Sequence, residues 1–462
     1  MLPDDVLLEI FDFYVFKYQD LRVIMFNVDA KRKIESWQLL VHVCWRWRSL
    51  VFGSPRRLNL RLFWIPGRSA RASLDVWPPL PLLIRCDDLE AETSTDDAIA
   101  ELEHSDRICQ INLNCLTTTH VEKVCTAMQV PFPELECIAL SFEASCRPVL
   151  PDSFLGGSAP RLRLLSLTAI PFPALPNLLL SATHLVTLWL ENIPHSGYIS
   201  PEAMVTCLSM LTSLHSFRLK FESPQSCPDQ ETRSSPPSSR FILPGLSSFS
   251  FKGVYEYLED LVSRIDAPQL YQLLISLFND IYFDTPELNQ FINRTPTLGA
   301  YNAALLTFYS SQAQVELISH EQPDYKMVNV SILCRGPDGQ FSFLAQICNL
   351  SLHLLLTLES LYIDEHVRSP SYWKDGIENS EWLDLLLPFT AVKNLYLSKK
   401  IATHIAPALQ ELTGGRTTEV LPALQNIFLE EFEPSEPVQE GIVQFILARQ
   451  LTNHTITVSL WD

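Results

Sequence analysis

Eleven cysteines and eleven histidines are the side chains of this 462-residue chain best suited to nucleophilic or metal chemistry, and their spacing supports neither. No Cys-x-x-Cys pair occurs, and no two histidines lie at the close spacing, with cysteine or acidic partners, that a metal site needs. Several cysteines sit inside apolar patterns, as Cys137 does in Leu135-Glu136-Cys137-Ile138. That is the setting of buried free thiols in a reducing compartment. Phosphate-loop, dinucleotide, nucleophile-elbow and zinc-protease motifs are all absent, in keeping with only 14 glycines. The sequence therefore offers no catalytic residue, no cofactor-binding residue and no metal ligand. A site assembled only in space would leave no such trace.

One cluster could suggest stacking and phosphate contacts with a nucleic acid: Trp45-Arg46-Trp47-Arg48, followed by Arg56, Arg57 and Arg61. Helical spacing distributes these residues around a helix, and the charge balance opposes a polyanion. The net charge is −19, split into +5 over residues 1–71 and −24 over the remainder. A basic head meeting an acidic protein partner is the better reading, and neither nucleic acid nor an anionic membrane surface is expected as a partner. No apolar run reaches the roughly 18 residues of a spanning helix. The acidic, non-basic start differs from a secretory signal, so an intracellular protein, cytoplasmic or nuclear, is expected.

The elements that would carry any binding surface begin at Leu2. Pro3 suits a helix start, Asp4 and Asp5 complement the helix dipole, and Val6, Leu7, Ile10, Phe11 and Tyr14 recur at helical spacing. After a polar, basic stretch from Lys17 to Glu35, a second helical pattern runs through Trp37, Leu40, Val41, Cys44, Trp47 and Val51, closed by Gly53 and Pro55. So few short helices make a thin core, and a partner is expected over its apolar face.

Here the chain resembles a known family. Leu2-Pro3-x-Asp5-Val6-Leu7-Leu8-Glu9-Ile10-Phe11, with Leu40-Val41-x-Val43-Cys44-x-x-Trp47-Arg48-x-Leu50-Val51, is similar to an F-box, with extra residues between the two parts. The resemblance implies docking on the Skp-type adaptor of a cullin ubiquitin ligase complex. It also implies Leu2, Pro3, Val6, Leu7, Ile10, Leu40, Val43 and Trp47 as the adaptor-contacting set.

From about Leu58 the chain repeats Leu-x-x-Leu-x-Leu. Ten phrases occur, from Ile108/Ile111/Leu113 to Leu424/Ile427/Leu429. Successive steps are 27, 27, 23, 29, 32 and 24, then 88, 34 and 32 residues. This is a degenerate leucine-rich repeat, whose units bury their apolar faces only by stacking. Pro133, Pro160, Pro244, Pro268 and Pro422 each stand two residues before a phrase. The expected fold is α/β: a helical F-box over 1–57, then a leucine-rich-repeat solenoid over 58–462, a curved parallel sheet with outer helices. Covering helices are expected at Pro201–Leu211, Tyr255–Ile265 and Ile401–Leu412. A helix from about Val438 to Arg449 should precede a capping strand at Thr455–Val458.

Two regions depart from the phrase. Ser223–Arg240 is Ser- and Pro-rich and reads as a flexible loop within the solenoid. Residues 298–352 contain the strand-like runs Ala304–Phe308 and Lys326–Ile332, with a turn at Gly336-Pro337-Asp338-Gly339. The segment Phe389–Leu397 with Pro422–Asn426 is similar to the C-terminal repeats of F-box proteins with degenerate leucine-rich repeats. Together the features point to a non-catalytic substrate receptor of a ubiquitin ligase, with an unidentified protein of basic surface as target. The alternatives are a leucine-rich scaffold unrelated to ubiquitin, whose N-terminal helices cap the repeats, and an enzyme with a spatially assembled site.

Overall fold

A computed structural model of the chain describes residues 2–15, 37–64, 79–86, 92–116, 118–142, 149–227, 240–278, 286–299, 301–319, 326–333, 337–350, 352–366, 377–412, 414–430 and 436–461. The chain forms two compact units, Met1–Pro228 and Asp229–Asp462. Their boundary falls within the Ser/Pro-rich stretch. The start of that stretch is ordered, with a helical turn at Pro224–Ser226 and a buried Cys227; residues 228–239 lie outside the described residues.

The first unit opens with three helices, α1 (Asp4–Tyr14), α2 (Trp37–Val41) and α3 (Trp45–Gly53). The basic stretch expected between α1 and α2 lies outside the described residues. The single second helix expected from the apolar spacing is in fact two. The chain turns at His42-Val43-Cys44, with Cys44 extended at φ −160° as the residue before α3. The Arg48 guanidinium then donates to the Val41 carbonyl at 3.0 Å, satisfying one of the carbonyls that the end of α2 leaves open.

Seven described strands follow, all parallel to their neighbours: β1 (Leu62–Phe63), β2 (Leu82–Cys86), β3 (Ile108–Leu116), β4 (Cys137–Phe142), β5 (Leu164–Thr168), β6 (Thr187–Ile193) and β7 (Ser216–Phe221). Helices α4 (Glu92–Glu101), α5 (Thr118–Ala127), α6 (Leu175–Ser181) and α7 (Pro201–Ser209) connect them. The repeat phrase sets the register. Ile111, Ile138, Leu165, Leu188 and Phe217 are successive partners, as are Leu113, Leu140, Leu167, Leu190 and Leu219. All ten are buried. One side of each strand thus belongs to the core, and the alternate side chains emerge on the other side of the sheet.

The prolines before the phrases act as expected. Leu135, Leu162, Leu246, Leu270 and Leu424 each donate their backbone N–H to the carbonyl three residues back, closing a turn whose second residue is the proline. Proline's fixed φ suits that position and it sacrifices no needed donor there.

The second unit contains β8 (Phe241–Ile242), β9 (Ser248–Gly253), α8 (Tyr255–Ser263), β10 (Ile265–Asp266), β11 (Gln272–Phe278) and α9 (Pro286–Asn293). It continues with β12 (Ala303–Phe308), β13 (Gln312–Ile318), β14 (Met327–Leu333), α10 (Pro337–Leu350), α11 (Leu352–Leu355) and β15 (Ser360–Glu365). It ends with α12 (Asn379–Leu386), β16 (Asn394–Leu397), α13 (Lys399–Gln410), β17 (Asn426–Glu430), α14 (Glu436–Gln450) and β18 (Thr457–Trp461). Its main sheet runs β9-β11-β14-β13-β12-β15-β16-β17-β18.

The 88-residue step is explained by an antiparallel meander. Strand β13 runs against both β12 and β14, so β14 lies parallel to β11 while β12 lies parallel to β15. Val328 and Val330 then occupy the register of Leu273 and Ile275, and Ala304 and Leu306 that of Leu361 and Ile363. Valine and alanine stand where the phrase expects leucine, so the meander hides from a search for the phrase. The strand runs at 304–308 and 326–332 are observed. Of the turn expected at Gly336-Pro337-Asp338-Gly339, residues 337–339 open α10, with Pro337 first, where a missing N–H leaves no bond unmade; Gly336 lies outside the described residues.

The unit's end is closed by α14. Gly441 lies against α13, where a Cβ would stand 2.8 Å from the Ala406 carbonyl oxygen. Arg449 is fully buried and donates to the carbonyls of Val420 at 2.6 Å and Leu421 at 2.9 Å. Leu421 takes φ +49°, so the guanidinium holds a strained turn at the start of the last repeat.

Candidate functional site

The three N-terminal helices bring the eight residues implied by the resemblance into two groups. Leu7 and Leu40 are core, at 4% and 5% exposure, while Leu2, Val6, Ile10 and Val43 stand out at 51%, 38%, 45% and 58%. Pro3 is also exposed, and Trp47 is half-buried, its ring edge-on to Phe11 at 4.7 Å between centroids. So α1 carries two apolar stripes. Leu7 and Phe11 face α2 and α3, while Val6, Ile10, Phe13 and Tyr14 face away from the core. A helix that is apolar on both sides needs two partners, and the small domain supplies one.

Four further apolar side chains of the head are exposed: Phe13 and Tyr14 on α1, Leu39 on α2 and Trp45 on α3. Sequence reasoning assigned Tyr14 to the apolar face of α1 without a docking role and missed the others. The available signal was a helix with more apolar residues than one stripe can hold.

Ion pairs fix the geometry of this face. Arg46 donates to the Asp4 carboxylate at 2.5 Å from Nη2, and also to the Leu2 carbonyl, so α3 anchors the start of α1. Arg57 pairs with Glu9 on the next turn. Arg46, Arg48 and Arg57 of the Trp45–Arg61 cluster are thereby engaged within the head, while Arg61 reaches Glu136. The head is also tied to the strands: Trp37, fully buried, donates its indole N–H to the Arg61 carbonyl at 3.0 Å, and Leu58 and Leu60 are buried beside β1.

The side of each sheet away from the core offers the other large surfaces. In the first unit Trp189 on β6 lies under the Arg218 guanidinium of β7 at 4.1 Å, and Glu191 bonds both Arg218 at 2.9 Å and Lys220 at 3.1 Å. In the second unit Tyr362, Tyr396 and Phe428 stack across β15, β16 and β17, with centroids 4.1 and 4.4 Å apart. Trp461 meets the two tyrosines edge-on. Burial and the neighbouring Tyr396 push the Tyr362 hydroxyl up to about 12.

Three of the described cysteines are closed to nucleophilic chemistry. Burial pushes the thiols of Cys109 and Cys348 up to about 12, and that of Cys137 upward too, so they stay protonated and unreactive. No group of three His, Cys, Asp or Glu side chains placed to hold a metal occurs among the described residues. Nor is any described helix long and apolar enough to cross a membrane.

The parallel strands, the registered repeat phrase and the covering helices fit a leucine-rich-repeat architecture of the α/β class. No protein-family model matches the chain, and no curated protein matches it. Among solved structures it is similar to the leucine-rich repeat-containing protein LegL7 from Legionella pneumophila, at 12% identity and a TM-score of 0.28. That match covers 83% of this chain and 96% of the other.

Proposed function

We propose that the chain is a protein-interaction receptor whose N-terminal helices dock the Skp-type adaptor of a cullin ubiquitin ligase while its repeats hold a protein target. The observation that carries this reading is the second apolar stripe of α1, Val6 and Ile10, exposed together with Leu2 and Val43 on a small domain whose core is already filled by Leu7, Phe11 and Leu40. Large exposed apolar side chains grouped on one face mark a protein partner. Such a receptor works by proximity: holding a target lysine near the ubiquitin-charged enzyme raises its effective concentration, and the receptor itself needs no catalytic group.

Co-purification with the adaptor tests this. Val6→Asp with Ile10→Asp places two charges on the outward stripe, leaves Leu7 and Phe11 in place, and should abolish retention without unfolding the chain. Wild-type protein that folds yet never retains the adaptor would sink the proposal. A scaffold reading, in which the head only caps the repeats, draws on the Trp37–Arg61 hydrogen bond. Under that reading the double variant behaves as wild type in every pull-down, whereas loss of residues 1–52 exposes β1 and causes aggregation.

A further inference from the structure

The last repeat of the second unit is built as if another were to follow it. In β17 the phrase residues Ile427 and Leu429 are buried. Their register partners in β18, Val458 and Leu460, are 43% and 62% exposed. Helix α14 shows the same imbalance. Val438, Ile442, Phe445 and Arg449 are buried, whereas Val443, Leu447 and Leu451, spaced four residues apart, are exposed, Leu451 at 88%. A terminal repeat facing water needs a polar outer side, and this one is apolar. It is also uncharged: between Gly441 and Trp461 the only Asp, Glu, Lys or Arg is Arg449, which is fully buried.

The backbone of β18 is open on its outer side. Thr457 donates its N–H to the Gln425 carbonyl at the entry to β17. Strand backbone alternates, so Thr457 and Ser459 turn their polar groups towards β17, and Val458 and Leu460 turn theirs away from it. No described strand lies beyond β18. Edge strands kept solitary carry lysine, proline or a bulge, and Thr457-Val458-Ser459-Leu460-Trp461 carries none of these. An occupant of this end has to supply a strand and an apolar layer together.

We propose that this end pairs with the same end of a second copy, β18 against β18, antiparallel about a two-fold axis through Ser459. Val458 of each copy then stands opposite Leu460 of the other, and the two exchange N–H and C=O bonds. With the axis perpendicular to the sheet, the phrase side chains of both copies fall on one side, where the two α14 stripes also meet. Charge favours this occupant. A chain of net charge −19 repels its own copies, and an uncharged face is where two of them can close. Five large apolar side chains per copy, doubled by symmetry and joined by the strand edges, reach the roughly 1,000 Å² of total burial that a specific interface needs. The proposal stands independently of the adaptor reading.

Light scattering of the full chain over a concentration series reaching about 50 μM should show a dimer that dissociates on dilution. Leu447→Glu with Leu451→Glu charges two exposed positions, should leave the circular dichroism unchanged, and should raise the dissociation constant about a hundredfold. Leu460→Pro removes an outward N–H but no bond to β17, and should act in the same direction. Cysteines test the register. The two Ser459 Cα atoms at the axis would lie about 4.5 Å apart, as in a pair without hydrogen bonds, which is within disulfide reach. Ser459→Cys should therefore give a disulfide-linked dimer under mild oxidation. Thr457→Cys, opposite Trp461 of the other copy, should cross-link no more than wild type. Wild-type chain that stays monomeric at the highest concentration, or a glutamate variant that dimerises as tightly as wild type, would overturn the proposal. Equal cross-linking of the two cysteine variants would overturn the pairing of β18 with β18.

Discussion

The two units present opposite chemistry from the same kind of strand. In the first, the side of β6 and β7 away from the core is ionic, with Trp189 beneath Arg218 and Glu191 between Arg218 and Lys220. In the second, the matching side of β15, β16 and β17 is an aromatic stack flanked by a polar row, in which Asn426 donates to Asn394 at 2.8 Å and Asn394 to Ser360 at 3.4 Å. The core sides hardly differ: leucine, isoleucine and phenylalanine fill both. The repeat therefore dictates one face of each strand and leaves the other free to vary. In the proposed receptor, target selection would belong to the free face, because fold alone does not fix function.

The shared face should show the largest and most equal effects. Leu188→Ala in the first unit and Leu395→Ala in the second each remove a fully buried phrase residue and should each cost about 3 kcal/mol, since both leave a cavity in a packed layer. Denaturant unfolding of the full chain measures both. A cost below about 1 kcal/mol in either unit would mean that its core can collapse around the loss and that the two cores are not equivalent.

On the free face the units should part. Tyr396 stacks on Tyr362 at 4.1 Å and on Phe428 at 4.4 Å, so Tyr396→Ala breaks two ring contacts at once. A loss of about 1–3 kcal/mol, insensitive to salt, is expected. Arg218→Ala removes a half-exposed ion pair and a cation–π contact, and should cost about 1 kcal/mol or less, shrinking as salt rises. Equal salt dependence in the two variants would erase the distinction between the faces.

The sequence pattern revealed the shared face and little of the free one. Periodicity located the buried phrase positions because burial constrains residue type, and the prolines marked the turns because φ is constrained there. Two strands of the meander were legible as alternating runs, but their place in the repeat register was not, because Ala304, Val328 and Val330 fill phrase positions with smaller residues. The break at Val43 escaped because the apolar spacing runs on through it, and the Arg48 bond to the Val41 carbonyl that accompanies it is polar and leaves no mark on that spacing. In the head, the apolar spacing of α1 identified a helix but could not sort Leu7 from Val6, since both are apolar and adjacent. Only packing against α2 and α3 separates them.

The smallest effect tests the ionic face by pH. Burial raises the Glu191 pKa, but the Arg218 hydrogen bond and the charges of Lys220 and Arg218 together outweigh it and hold the carboxyl below its ordinary value of 4.5. A depressed folded-state pKa means that the unfolded chain takes up the proton first as pH falls. The stabilisation is therefore complete above the ordinary value and disappears as pH drops through it towards the folded one. Glu191→Gln should cost less than about 1 kcal/mol at neutral pH, because the group is partly exposed and screened. The gap between variant and wild type should close between about pH 5 and pH 3. A gap that persists at the acid end would assign the stabilisation to shape rather than charge. The ionic face would then be a packing surface like the aromatic one, and the contrast between the two units would rest on residue type alone.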